Sequence, residues 1–354
     1  MASSANPDTN TPLLPNTENN KQPHPIIPTM NTLLSGAVFG GALTASGVYQ
    51  PSVIVSQLNF TNFHMIQVFL TAAAGSAAIV SLVPGQSQLP RPASPINLFS
   101  LYDGNIIGGF LLGTGMMLSG ACPGTVLAQL GVGVKSGFYA FAGAAAAGVV
   151  WSAGLGSYLQ ARGKKAREIA IQQDKKEVVT VPEVLGVSRP VVLLGLESMF
   201  LGIVYLAARY TTTGPEAKIP PPVGGLLIVA SQLFSLVLRK SLLGTSTSYE
   251  EVGAWVLGGK LIPEKYKTML FSAGMIGGAA VVSRLVPEFG EVTKVAVSPL
   301  SAALGGFLMI LGSRMAGGCT SGHGISGVSL LSVSSFLTVA ACFFAGGVTG
   351  LLLG

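Results

Sequence analysis

Three cysteines occur in the 354 residues of this chain, Cys122, Cys319 and Cys342, and two of them sit where chemistry is plausible. Cys122 lies in Ser119-Gly120-Ala121-Cys122-Pro123-Gly124-Thr125. Pro123 has no backbone N–H and disfavours a helical residue before it, so a helix should break at the thiol. Gly120 and Gly124 let the backbone bend there and approach a ligand closely. Cys319 lies in Arg314-Met315-Ala316-Gly317-Gly318-Cys319-Thr320-Ser321-Gly322-His323-Gly324, preceded by two glycines and followed by two small hydroxyl residues. Each thiol is therefore expected on a helix break, where freed backbone N–H groups can face an anion. Cys342, within Ala340-Ala341-Cys342-Phe343-Phe344, reads instead as a small inert hydrophobe.

Two further side chains belong to the second motif. His323 follows Cys319 by four residues, so a half-helix starting at the thiol would put both on one face. A zinc site wants about four Cys, His or carboxylate ligands, and neither motif contains an acid, so no metal and no cofactor is expected. Arg314 is the only charge within the motif-bearing spans, and an intramembrane ionisable group is a functional candidate by default. The competing reading of Arg314 is a structural contact to backbone carbonyls. Backbone N–H groups around Pro123, Gly124 and Gly318, the cation Arg314, two thiols, the hydroxyls of Thr320 and Ser321, and His323 together suit a small sulphur-containing anion better than a cation.

The elements that position these residues follow from composition. Only 10% of residues are charged, against about 25% in an ordinary soluble domain, and 49% are hydrophobic. Mean hydropathy is +0.60. Glycine is enriched, with 47 residues and no collagen-like period, as suits helices packed closely in lipid. The net charge of +6 is gathered in short stretches between apolar runs, which makes it a topology signal and not a nucleic-acid footprint. Three cysteines cannot build a disulfide framework. These features exclude a soluble enzyme, a nucleic-acid binder and a disulfide scaffold, and predict an all-α, multi-pass integral membrane protein whose main partner is the lipid bilayer.

A span needs about 20 apolar residues. About nine are expected, near 31–49, 64–84, 104–121, 137–160, 190–209, 222–239, 268–287, 300–317 and 333–353. The Gly-rich segments 122–134 and 319–332 are too short to cross and read as loops or half-helices dipping into the membrane, with 245–259 a further short helix of this kind. Residues 1–30 read as a disordered polar tail without a signal-peptide core. The basic linker 161–189, with Arg162, Lys164, Lys165, Arg167, Lys175, Lys176 and Arg189, is expected in the cytoplasm.

An internal repeat relates the halves. Gly108-Gly109-Phe110-Leu111 recurs as Gly305-Gly306-Phe307-Leu308, and the same offset of 197 carries Gly115 to Gly312, Gly120 to Gly317 and Cys122 to Cys319. Five crossings separate the copies. An odd number predicts two pseudo-symmetric inverted repeats, 31–160 and 190–354, the architecture in which transporters place substrate on broken helices near the midplane.

The run Arg314–Gly327 resembles the signature of the YeeE/YedE family of sulphur-transport membrane proteins. Gly108–Gly124 is similar to its partner in the other half, and Gly244-Thr245-Ser246-Thr247-Ser248-Tyr249 to a further polar loop. The resemblance implies a pseudo-symmetric carrier for thiosulfate or a related sulphur species, with Cys122 and Cys319 in the permeation path. Family members that carry thiosulfate can have another cysteine early in the first half, where this chain has Thr44–Pro51 and none. The expectation is an importer of thiosulfate or a related anion in the plasma membrane, not an enzyme. Its rival is a sulphur relay in which Cys122 or Cys319 carries a persulfide to a cytoplasmic acceptor protein; a scaffold is a third class. Glu197 is the best intramembrane acid for a proton relay.

Overall fold

The computed structural model describes residues 26–83, 90–96, 100–172, 178–211, 214, 218–259, 266–293 and 297–353. The tail up to residue 25 and the linker residues Lys175 and Lys176 lie outside them, as do the side chains of Lys165 and Arg167.

The first half runs α1 (Ile26–Ala45), the short α2 (Pro51–Leu58), α3 (His64–Leu82), α4 (Asp103–Ser119), the short α5 (Pro123–Val132) and α6 (Lys135–Val150). A π-helical turn, Trp151–Leu155, leads into α7 (Gly156–Gln172), followed by α8 (Val181–Leu185) and α9 (Arg189–Tyr210). The second half runs α10 (Pro221–Arg239), α11 (Ser246–Gly258), α12 (Lys267–Leu285), α13 (Pro299–Ala316), a wide π-helical turn at Thr320–Gly327, and α14 (Val333–Leu353). The only extended pairing among the described residues is one isolated bridge, Thr180 to Ser332.

Among the described residues, eight helical stretches are long and apolar enough to cross a bilayer. α1 has 20 residues and begins at the edge of the described region. Apolar side chains point outward as well as inward. On α9, Leu196, Phe200 and Val204 are buried while Leu194, Leu201 and Leu206 are exposed, a pattern stable in lipid and not in water. The chain is an all-α, multi-pass integral membrane protein.

The sequence placed one span at 137–160 and began a linker at 161. The helix does not stop there: α7 carries on to Gln172. The segment from Ala161 to Gln172 is rich in Ala, Lys, Arg and Gln, which favour helix, and holds no proline. The chain kinks earlier, at Gly154, whose φ of 140° is open to glycine alone.

Glycines set the closest helix contacts. α4 and α13 cross antiparallel: a Cβ on Gly108 would lie 2.5 Å from the Ala316 backbone nitrogen, and one on Gly115 would lie 2.4 Å from that of Met309. α1 packs on α12 in the same manner, with Gly40 against Met275 and Gly278 against Ala37.

Candidate functional site

The first break forms because α4 ends at Gly120, in the left-handed region at φ 59°. Cys122 is then extended and caps α5, with Pro123 in the first turn. The Thr125 N–H donates to Cys122 Sγ at 3.4 Å and the Cys122 N–H donates to Thr125 Oγ1 at 2.6 Å. This is a capping box built with a thiol in place of the usual hydroxyl. Gln129 Nε2 ties the break down by donating to the carbonyls of Tyr49 and Gly120.

The second break mirrors it. α13 ends at Gly317, φ 82°, and Cys319 is extended before the Thr320–Gly327 turn. Cys319 is fully buried. Its Sγ lies 3.2 Å from Ser321 Oγ and 3.5 Å from Thr245 Oγ1, and the backbone amides of Thr245 and Gly322 sit beside it. The His323 N–H donates to the Cys319 carbonyl at 2.7 Å.

Between the breaks lies a small cavity of about 60 Å³. Cys122, Gly124 and Thr125 line it from one side, Thr320, Ser321 and Ile325 from the other, and Phe39, Met65, Phe69, Met116 and Phe343 form much of the wall. Residues of both breaks thus border one small and almost wholly apolar chamber.

The remaining residues singled out in the sequence are placed apart from the chamber lining. Since a carbonyl only accepts, His323 Nε2 carries the proton it donates to Ala316 O at 3.1 Å, and Nδ1 accepts from Ser335 Oγ at 2.9 Å. Its ring is therefore spent on α13 and α14 and not on the Cys319 sulphur. Arg314 is paired with Glu250, donates to Thr247 Oγ1 at 3.3 Å and stands over the Trp151 ring at 6.0 Å. It anchors α13 to α11. Gly318 leaves room for His323 and for Arg91, both within about 3 Å of where its Cβ would be. The Pro123 carbonyl accepts from Tyr249. Cys342 Sγ donates to Met116 Sδ at 3.7 Å in the contact between α4 and α14. Glu197 is on α9, at the bundle's periphery.

Of three further residues in this region, the sequence points to Thr245 and Tyr249 only as part of a polar run, and to Arg91 not at all. Thr245 touches the Cys319 thiol, and Tyr249, one turn on, donates to Pro123 O at 2.8 Å, so the start of α11 bridges both breaks. The polar run Gly244–Tyr249 was the available signal. Arg91, from Pro90-Arg91-Pro92 between two spans, reads as an ordinary loop cation. The fold brings it against Gly318 and Gly322.

A multi-pass helical membrane protein whose two thiol-bearing breaks flank an internal chamber is built as a carrier of small solutes is built. Residues 45–349 match the family profile described as "Sulphur transport", and the chain belongs to that family, YeeE/YedE. It is 27% identical over 327 residues to a protein named thiosulfate transporter TsuA from Spirochaeta thermophila, covering 88% of this chain and 94% of that one. Two proteins from Xylella fastidiosa, each named probable transporter, are 33% and 31% identical over 134 residues. Those alignments cover 38% of this chain and 93% of each relative.

Proposed function

We propose that this protein imports thiosulfate or a related small sulphur anion across the plasma membrane, along a path with stations at Cys122 and Cys319. The observation that carries the reading is the chamber itself, lined at once by Cys122 and by Thr320 and Ser321 from the Cys319 turn. A dianion leaving water for the bilayer interior faces a large desolvation penalty unless donors replace its hydration. Thiols and hydroxyls supply such donors weakly, which favours passage over trapping.

The architecture in this reading is nine spans in two inverted repeats. Shifting the first half by 197 residues pairs α1 with α10, α2 with α11, α3 with α12, α4 with α13, α5 with the Thr320–Gly327 turn and α6 with α14. α9 has no counterpart, so the second repeat begins at α10. Contacts between elements swap in the same way: α1 packs on α12 as α10 packs on α3, and α4 on α14 as α13 on α6. The 134-residue matches to shorter transporters are about the length of one such repeat.

Uptake of radiolabelled thiosulfate in cells lacking their own importer tests the substrate. Uptake that unlabelled thiosulfate abolishes, and that sulfate and selenite compete for less well, supports it. No uptake above empty-vector cells contradicts it.

A second reading is favoured by the hydroxyls and amides gathered on Cys319 Sγ, since such donors also suit a thiolate. In that relay the Cys319 thiolate attacks the outer sulphur of thiosulfate, the S–S bond breaks, sulfite leaves with the bonding pair, and a cysteine persulfide remains for a cytoplasmic acceptor. Mass spectrometry of the purified protein after exposure to thiosulfate separates the two: a persulfide at Cys319 supports the relay, and an unmodified thiol supports permeation.

A further inference from the structure

Arg91 lies in the connection between α3 and α4, and its backbone is clamped to the start of α14. Its N–H donates to Ser332 Oγ at 2.8 Å, and its carbonyl accepts from Ser334 Oγ at 3.0 Å. From there the stem runs along Gly327 and the guanidinium reaches Gly318 and Gly322. A Cβ on Gly327 would stand 3.1 Å from Arg91 Cδ; one on Gly318, 3.1 Å from Nη1; one on Gly322, 3.6 Å from Nη1. Three glycines of the Cys319 motif thus leave the space that the arginine occupies.

The guanidinium has five N–H donors, yet among the described residues no carboxylate, carbonyl or hydroxyl hydrogen-bonds it. A half-buried cation in that state is costly unless an anion or water meets it. Two other partly buried arginines are engaged, Arg314 by Glu250 and Arg239 over the Phe271 ring at 4.2 Å.

Arg91 also sits on a defined side. The linker residues 178–181 pair with 331–333, where Val181 N–H donates to Leu331 O and Val333 N–H to Val179 O. Ser332, which holds Arg91, is the bridge partner of Thr180. The chamber is lined by Thr320, Ser321 and Ile325, whereas Arg91 lies against Gly318, Gly322 and Gly327. The Cys319 turn separates the two.

We propose that Arg91 is the receiving group at the linker-side end of the path, binding a divalent sulphur oxyanion as it passes Cys319. This rests on the transport reading above. A guanidinium presents paired N–H donors that match two oxygens of one oxyanion, and Ser321 and the Cys319 thiol stand on the other side of the same turn.

The test uses full-length protein in vesicles whose linker face is exposed to added thiosulfate. Arg91→Gln should raise the half-saturating concentration at that face about tenfold or more, the usual effect of losing a charge-assisted hydrogen bond. Arg91→Lys should restore most of it, as a charge without the fork. Unchanged half-saturation in Arg91→Gln, with wild-type transport intact, overturns the role of Arg91 and leaves the transport reading standing. No thiosulfate flux in the wild type overturns the transport reading instead. If Arg91→Gln does not fold, phenylglyoxal labelling of the wild type decides. Thiosulfate that slows modification of the Arg91 peptide supports the proposal, and equal labelling with and without thiosulfate refutes it.

Discussion

A Cβ on Gly312 would stand 2.5 Å from the carbonyl oxygen of Gly108, and a Cβ on Gly108 would stand 2.6 Å from the carbonyl oxygen of Gly312. Gly115 and Gly305 meet in the same reciprocal way, at 2.5 and 2.7 Å. The 197-residue offset turns Gly108 into Gly305 and Gly115 into Gly312, so each member of one pair faces the repeat-equivalent of the other. Reciprocity of this sort is what a two-fold axis between antiparallel helices produces.

The crossing tolerates no side chain. Gly108→Val or Gly312→Val should destabilise the detergent-solubilised protein by about 3 kcal/mol or prevent folding, because backbone is struck and not a flexible side-chain end. Gly195→Ala on α9, where nothing lies within 4 Å of the added Cβ, should be neutral or stabilise by about 0.5 kcal/mol. Thermal unfolding of the three variants checks this.

The start of α11 should matter to both breaks. Tyr249→Phe removes the bond to Pro123 O, for a stability loss of about 1 kcal/mol. Thr245→Val removes the hydroxyl beside Cys319 Sγ while keeping the volume. We expect both to lower thiosulfate uptake with normal membrane insertion, measured as uptake per copy of protein in the membrane. Normal uptake in both would separate α11 from the path.

These two cases show what the sequence revealed and what it hid. Helix breaks at Cys122 and Cys319 were legible because Pro and Gly act locally, through missing N–H groups and left-handed backbone. The contact between α4 and α13 was not, since a repeat offset and an odd span count bear on the orientation of the copies and not on whether they touch. The partners of Arg314 and His323 were not. Glu250 and Thr247 come from α11, Ser335 from α14 and Arg91 from the α3–α4 connection, and only the fold decides whether a charge faces a chamber or an anchor. Arg91 was overlooked for the same reason, since a proline-flanked loop gives no sign that it folds inward.

In the proposed topology the basic linker faces the cytoplasm. A single cysteine at position 164, in a protein otherwise lacking cysteine, should react with a membrane-impermeant maleimide only from the cytoplasmic face. One at position 136 should react only from outside. Both reacting from one side would break the inverted arrangement.

If the path uses neutral thiols, uptake should fall as the medium is taken from neutral to alkaline pH, because thiolates repel an anion. A relay has the opposite sign, with turnover growing as thiolate forms. Uptake across that range at fixed membrane potential, alongside iodoacetamide alkylation of each thiol, distinguishes them.

The most direct test of the two-station path is labelled thiosulfate uptake by Cys122→Ala, Cys319→Ala and Cys342→Ala, each normalised to protein in the membrane. The account predicts that the first two each lose uptake almost completely, since each break supplies one station of a single path, while Cys342→Ala transports nearly as the wild type does. Equal uptake by all three variants would contradict it.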